Sequence, residues 1–228
     1  DVTDLLTMYG VADPAEREVF LEMVKASNEP GWWHRYNDLV ADWFQDYLGL
    51  EESASRIQTC EQQFFPGLRQ TEDYARAIAT RGWSELSSQS ADRQVAVRMR
   101  RQALLARPDA PKLWAVIDES VLHRPIGGRR VMLDQLEHLL ELTKRPNVTL
   151  QVLLYPLSGY AAEGSFTMLR FAEPELPNVV YIEHLSGALY LDKRSDTELY
   201  ARVFDRLTVD AKTPDHTRQL LAKARVEI

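Results

Sequence analysis

Cysteine is nearly missing from this sequence: Cys60 stands alone among 228 residues. A single thiol excludes an internal disulfide framework and a cysteine-built zinc site, and it suits a reducing cytoplasm. Long apolar runs are missing too. Nothing approaches the ~20 residues that span a bilayer, and no signal peptide is visible, so no membrane partner is expected. Excess positive charge is also lacking, since 27 Lys and Arg face 34 Asp and Glu for a formal charge of −7. That balance argues against this chain wrapping nucleic acid by itself. Familiar catalytic signatures are absent as well: no Gly-x-Ser-x-Gly elbow, no His-Glu-x-x-His helix, no Gly-x-x-x-x-Gly-Lys loop and no Rossmann glycine fingerprint. No catalytic residue, metal ligand or cofactor is assigned on this basis.

What is present is 45% hydrophobic residues and 27% charged ones, ordinary for a globular chain, with length enough for one generous domain or two small ones. The stretch from Lys112 to His184 organises the rest. Leu113-Trp114-Ala115-Val116-Ile117 and Val148 to Tyr155 are short apolar runs, separated by a helical pattern through Val131, Leu133, Leu136, Leu139, Leu140 and Leu142. Strand, helix, strand in that order reads as a β-α-β unit, and the near-continuous apolar character places both strands in a sheet covered on two faces. The full pattern predicts an α/β fold, a mixed sheet with flanking helices preceded by a helical N-terminal segment. The strands are expected near 57–64, 113–118, 148–155, 165–171, 178–184 and 188–192.

At the N-terminal end, Leu5 to Tyr9 form a short helix stopped by Gly10. Asp13 caps a second, with Pro14 at its first position and Glu16 placed for a capping box. Val19, Phe20, Met23 and Val24 give it one apolar face, broken at Ser27-Asn28-Glu29-Pro30-Gly31. Two such helices bury little alone, and the chain opens at Asp1 without a methionine, which predicts a fragment whose natural N-terminus is missing. Tyr36, Val40, Trp43 and Tyr47 recur as one amphipathic helix closed by Gly49. Trp32, Trp33 and Trp43 suit either a ligand cage or the core. Thr71 caps a helix ending near Gly82, Ser84 to Ser90 is a polar connection, and a further helix spans roughly Ala91 to Arg107. Its Arg93, Arg98, Arg100, Arg101 and Arg107 face one local acid, Asp92, and fit a solvated face or a phosphate-binding surface. Gly127-Gly128 beside Arg124, Arg129 and Arg130 is either an anion cradle or a tight turn into the next helix.

Several stretches together carry a family resemblance: Leu50-Glu51-Glu52-Ser53-Ala54, Phe65-Pro66-Gly67-Leu68-Arg69-Gln70-Thr71-Glu72-Asp73-Tyr74-Ala75, Gly31-Trp32-Trp33, Ile117 to Leu122, Gln135-Leu136 and Gly164 to Thr167. The chain resembles actinobacterial transcription regulators with an N-terminal helix-turn-helix of the XRE class and a long uncharacterised C-terminal domain. Arg69 departs from that pattern, where a second leucine is expected. The resemblance implies that residues 1–30 are the last helices of a truncated helix-turn-helix domain and 31–228 a regulatory α/β domain. DNA would then be contacted only through the missing upstream module. More weakly, 113–211 resembles the phospholipase D superfamily fold, whose catalysis needs His-x-Lys. His34, His123, His138 and His184 are followed two residues on by Tyr36, Pro125, Leu140 and Ser186, and His216 by Arg218, so the resemblance implies a degenerate member.

Ligands of open α/β sheets sit beyond the carboxyl ends of strands. That rule gathers Glu119, Tyr155, Glu183 and His184 at one edge, with Arg124 and Gln135 within reach from the crossover, as a regulatory ligand site. A carboxylate pair there favours a cationic or multiply hydroxylated effector. Three functions follow, from different classes: a sensor domain binding a small-molecule effector, an interaction module docking a small partner protein, and a phosphate- or nucleotide-directed enzyme. A homodimer is a further partner expectation.

Overall fold

A computed structural model of the chain describes residues 1–28, 30–81, 88–156 and 164–228. Six strands form one sheet: β1 (Arg56–Glu61), β2 (Lys112–Asp118), β3 (Val148–Leu153), β4 (Phe166–Arg170), β5 (Val179–His184) and β6 (Gly187–Leu191). Their spatial order is β3-β2-β1-β4-β5-β6. The first three are mutually parallel, and β4, β5 and β6 add antiparallel steps, so β5 again runs with β1. The fold is therefore α/β with a mixed sheet, and the six expected strands lie where their apolar runs placed them.

The helices are α1 (Val2–Met8), α2 (Pro14–Asn28), α3 (Asp42–Ser53), α4 (Glu72–Arg81), α5 (Ser88–Gln102), α6 (Ser120–His123), α7 (Arg129–Leu142), α8 (Arg194–Asp210) and α9 (Pro214–Glu227). One face of the sheet packs Ala115, Ile117, Leu150 and Val152 against Met132, Leu136 and Leu139 of α7 and Leu221 of α9. The other face packs Val116, Leu153, Phe166, Met168 and Val180 against Phe204 and Leu207 of α8. β2 and β3 are covered on both sides, as their near-continuous apolar character requires, with the buried Gln151 side chain hydrogen-bonded to Trp114 and to the carbonyls of Thr208 and Lys212.

α1 and α2 lean on each other. The Arg17 guanidinium donates to the carbonyls of Val11 (2.8 Å) and Thr3 (3.2 Å) and to the Thr7 hydroxyl (3.1 Å). Asp13 caps α2 by accepting from the amide of Ala15 at 3.0 Å. Leu6 is buried, but Leu5, Met8, Tyr9, Val19, Phe20 and Leu21 remain exposed.

The helix expected from Tyr36 to Gly49 is two elements: a 3₁₀ turn at Trp32–Tyr36, then α3. Gly49 lies inside α3 and does not end it. The Trp33 ring packs beside it, where a Cβ would lie in ordinary contact at 3.4 Å. Trp32 and Trp33 pack around Val40, Leu48 and Val97, and Trp43 around Tyr47 and Leu105, so all three belong to the core. Gly127 and Gly128, both at positive φ, make the turn into α7, and a Cβ on Gly127 would meet Val131 at 2.8 Å. The stop near Gly82 and most of the polar connection, residues 84–87, lie outside the described residues, as does Glu29. Among the described residues no helix is long and apolar enough to cross a membrane.

Candidate functional site

The carboxyl ends of β1, β2, β3 and β5 share one edge of the sheet. At the ends of β2 and β3, Glu119 accepts a hydrogen bond from the amide of Tyr155 at 2.9 Å and lies 3.8 Å from His123. Tyr155 is exposed, and both the Glu119 and Arg124 charges act on its phenol, so the structure brings these three together. Gln135 lies elsewhere. It is fully buried on α7, accepting from the amide of Thr71 and donating to the carbonyl of Arg69, both at 2.7 Å, with its amide committed to the Gly67–Arg69 turn. Glu183 and His184 end β5, which is not a neighbour of β2 but stands three strands away, about 14 Å.

Between them lies a residue that the strand-end reading passed over. Glu61 closes β1, and the register carried one residue beyond the Cys60–Phe166 pair and two beyond the Thr167–Tyr181 pair puts Glu61, Ser165 and Glu183 in one row. Residues paired across strands point to the same face, so these three side chains project together. The row beneath holds Thr59, Thr167, Tyr181 and Tyr190. The Thr59 and Thr167 hydroxyls meet at 3.0 Å, and the Tyr181 hydroxyl donates to the Glu183 carboxylate at 3.0 Å. Where β2 and β3 present aliphatic side chains to α7, this half of the same face is polar.

Helices α3 and α5 roof that polar half. Arg101 of α5 is buried and grips Glu51 of α3 through Nε (2.9 Å) and Nη2 (2.8 Å), while the Tyr47 hydroxyl donates to the same carboxylate at 2.8 Å. The Tyr47 and Tyr181 rings lie 4.2 Å apart, so the roof rests on the Thr59–Thr167–Tyr181 row, next to the one that carries Glu183. Arg98, one turn earlier and only partly exposed, donates to Gln70 at 3.1 Å and has no ion-pair partner among the described residues. Burial, then the Arg101 charge, pull its guanidinium down to about 10. Arg93 pairs with Asp38 at 2.6 Å, and Arg107 pairs with Glu52. Of the α5 arginines, Arg101 alone is buried on an acid; the Arg93–Asp38 pair is exposed, and Arg107 lies beyond the end of α5. No group of three or more His, Cys, Asp or Glu among the described residues could hold a metal ion.

Burial pushes the Glu61 carboxyl up from 4.5 to about 7; the Ser165 and Thr59 hydroxyls favour the charged form, and the neighbouring Glu183 disfavours it. An unfolded chain releases that proton near 4.5, whereas the folded one holds it to about 7. The folded state therefore binds more protons in this window, and stability falls as pH rises through it. Glu61→Gln should remove this component. Denaturant titrations at pH 5 and pH 8 should show the variant gaining about 2–3 kcal/mol relative to the parent at the higher pH. A parent–variant difference that stays constant across that range would show that Glu61 is not protonated in the folded protein.

For the arginines the signal was in the sequence, since Arg98 and Arg101 sit three apart on one helix face; Glu61 becomes a strand end only with the observed boundary of β1. Residues 44–223 match the family model described as Domain of unknown function (DUF5753). No curated protein and no solved structure matches the chain. The matched span runs from α3 through all six strands and into α9, carrying both the sheet edge and its roof, and on that match the chain belongs to the DUF5753 family.

Proposed function

We propose that this chain is the regulatory domain of a helix-turn-helix transcription regulator and that the carboxyl edge of its sheet binds a small-molecule effector. DNA would be reached through the upstream module that the resemblance to XRE-class regulators implies. One observation carries the reading: the Glu61–Ser165–Glu183 row lies close enough to Arg98 and Arg101 for both guanidinium charges to act on Glu183. A largely buried Glu61 carboxyl and a half-buried Arg98 guanidinium without an ion-pair partner are costly in a face that could have been apolar, with the exposed Glu183 beside them, and such groups mark sites that meet a ligand. Glu119, Arg124, Tyr155 and His184 extend the same edge on either side. The carboxylates favour a cationic or multiply hydroxylated ligand, with an arginine able to take an anionic substituent.

Binding alters regulation only through different affinities for the two states of the attached module. In the full-length regulator, Glu61→Gln and Glu183→Gln should each raise the effector concentration for half-maximal response about tenfold or more, relative to the same variant's unliganded operator affinity. If both variants respond at the parent's concentration, the site assignment fails. The exposed apolar side chains of α1 and α2, Leu5, Met8, Tyr9 and Val19 among them, favour a second reading in which a small partner protein docks there.

A further inference from the structure

The row at the carboxyl edge carries charges of both signs that the chain itself does not pair. Glu61, Ser165 and Glu183 end three neighbouring strands, so the two acids stand about 10 Å apart at their backbones with a short serine between them. The Ser165 hydroxyl accepts from the Gln62 amide at 3.2 Å and favours a charged Glu61, while Glu183 disfavours it. Glu183 accepts from the Tyr181 hydroxyl at 3.0 Å, and neither acid makes an ion pair among the described residues. Arg98 uses only Nη1, which donates to Gln70 at 3.1 Å; among the described residues Nε and Nη2 have no acceptor. The Arg98 charge interacts with Glu183 and with the buried Tyr74, on which Glu61 also acts, so the guanidinium shares one neighbourhood with both acids. Arg101 is different, because Glu51 holds its Nε and Nη2.

We propose that the effector bound here is a free amino acid, its ammonium group shared by Glu61 and Glu183 over Ser165 and its carboxylate held by Arg98. This rests on the effector-site reading above and narrows it to one chemical class. A carboxylate offers only acceptors and an ammonium only donors, three of them, so one ammonium can serve both acids. Seated between them it also relieves their mutual repulsion, which a hydroxyl does not. Arg98 supplies the complementary half. Nε and Nη2 are the two atoms through which Arg101 grips Glu51, and on Arg98 the same fork can take a planar carboxylate in two parallel bonds. One such guanidinium matches the single charge of a carboxylate better than the two charges of a phosphate monoester. A simple cation would leave Arg98 unpaired, and a simple anion would leave both acids unpaired. A zwitterion answers both without adding net charge.

Isothermal titration of the chain at about pH 7 with the standard free amino acids, each up to about 10 mM, should find at least one that binds. The amide of its carboxyl group, a cation only, and its N-acetyl form, an anion only, should each bind about tenfold more weakly or worse. Arg98→Gln should bring the ratio of amino-acid to amide affinity down to about one. Glu61→Gln combined with Glu183→Gln should do the same to the ratio of amino-acid to N-acetyl affinity. Each ratio compares two ligands on one protein, so a general loss of stability does not move it, and circular dichroism should confirm that the variants fold. No binding by any amino acid, an amide that binds as well as its acid, or a preference that survives Arg98→Gln would each overturn the proposal. An amide that binds no worse than its acid and is lost in the double carboxylate variant would overturn the amino-acid class while leaving the effector site standing. An amino acid that obeys both ratios but leaves operator binding by the full-length regulator unchanged would uphold the class and remove the regulatory reading.

Discussion

Glu51→Gln is expected to destabilise the fold by about 3–5 kcal/mol, lowering the melting temperature on the order of 10 °C. The amide keeps the shape of the side chain and can still accept from the Tyr47 hydroxyl, but Arg101 is left as a buried cation without its counter-charge. Burial alone would weaken the guanidinium's hold on its proton; the Glu51 carboxylate more than offsets this, and the net shift is upward. Because Arg101 stays protonated in both the folded and unfolded parent across this range, the loss should be nearly constant between pH 6 and pH 9. Replacing both partners, Glu51→Leu with Arg101→Met, removes both desolvation costs and should recover most of the stability. A Glu51→Gln variant within 1 kcal/mol of the parent would show that the pair is not closed to water.

Arg69→Leu should have the opposite sign, a gain of about 2–4 kcal/mol by equilibrium denaturation with an unchanged m-value. Arg69 is fully buried and donates through Nη2 to Thr149, but Nε and Nη1 have no partner. It also has no counter-charge: among the described residues it makes no ion pair. Leucine leaves the Thr149 carbonyl unpaired, a smaller cost than a lone buried cation. Burial pulls the Arg69 guanidinium down to about 9, so above that pH the folded chain binds fewer protons than the unfolded one and the parent gains stability. The advantage of Arg69→Leu should therefore be widest below pH 9 and narrow above it. An equal or lower stability for the variant at pH 7 would refute the account.

Much of the fold was legible because strands buried on both faces must be nearly continuously apolar, as 113–117 and, apart from Gln151, 150–154 are. Glu61 was hidden by a boundary. Reading the first strand on to residue 64 placed it inside the strand, although the strand ends at Glu61. The break between Trp32–Tyr36 and α3 was hidden because Tyr36, Val40, Trp43 and Tyr47 keep a helical period across it. Gly49 looked like a stop because its partner, the Trp33 ring, is a tertiary neighbour that no local pattern reveals. Arg101 looked solvated because the acid that holds it, Glu51, lies 50 residues upstream. The site was legible as a rule about strand ends but not as a set of neighbours, because strand order is fixed by long-range pairing. That order put β1 and β4 between Glu119 and Glu183.

The change of strand direction between β1 and β4 also has a kinetic side. β4, β5 and β6 form a meander that can close locally, whereas the β1–β4 seam joins residues more than a hundred positions apart, as in the bond from the Ser55 hydroxyl to the Arg170 carbonyl. Loop closure over such a distance is slow, so the seam belongs among the late events of folding. Glu61 lies on one side of it and Ser165 and Glu183 on the other. The proposed effector site therefore comes into existence only when the seam closes, and a ligand bridging its two sides would act as a staple across the joint that forms last.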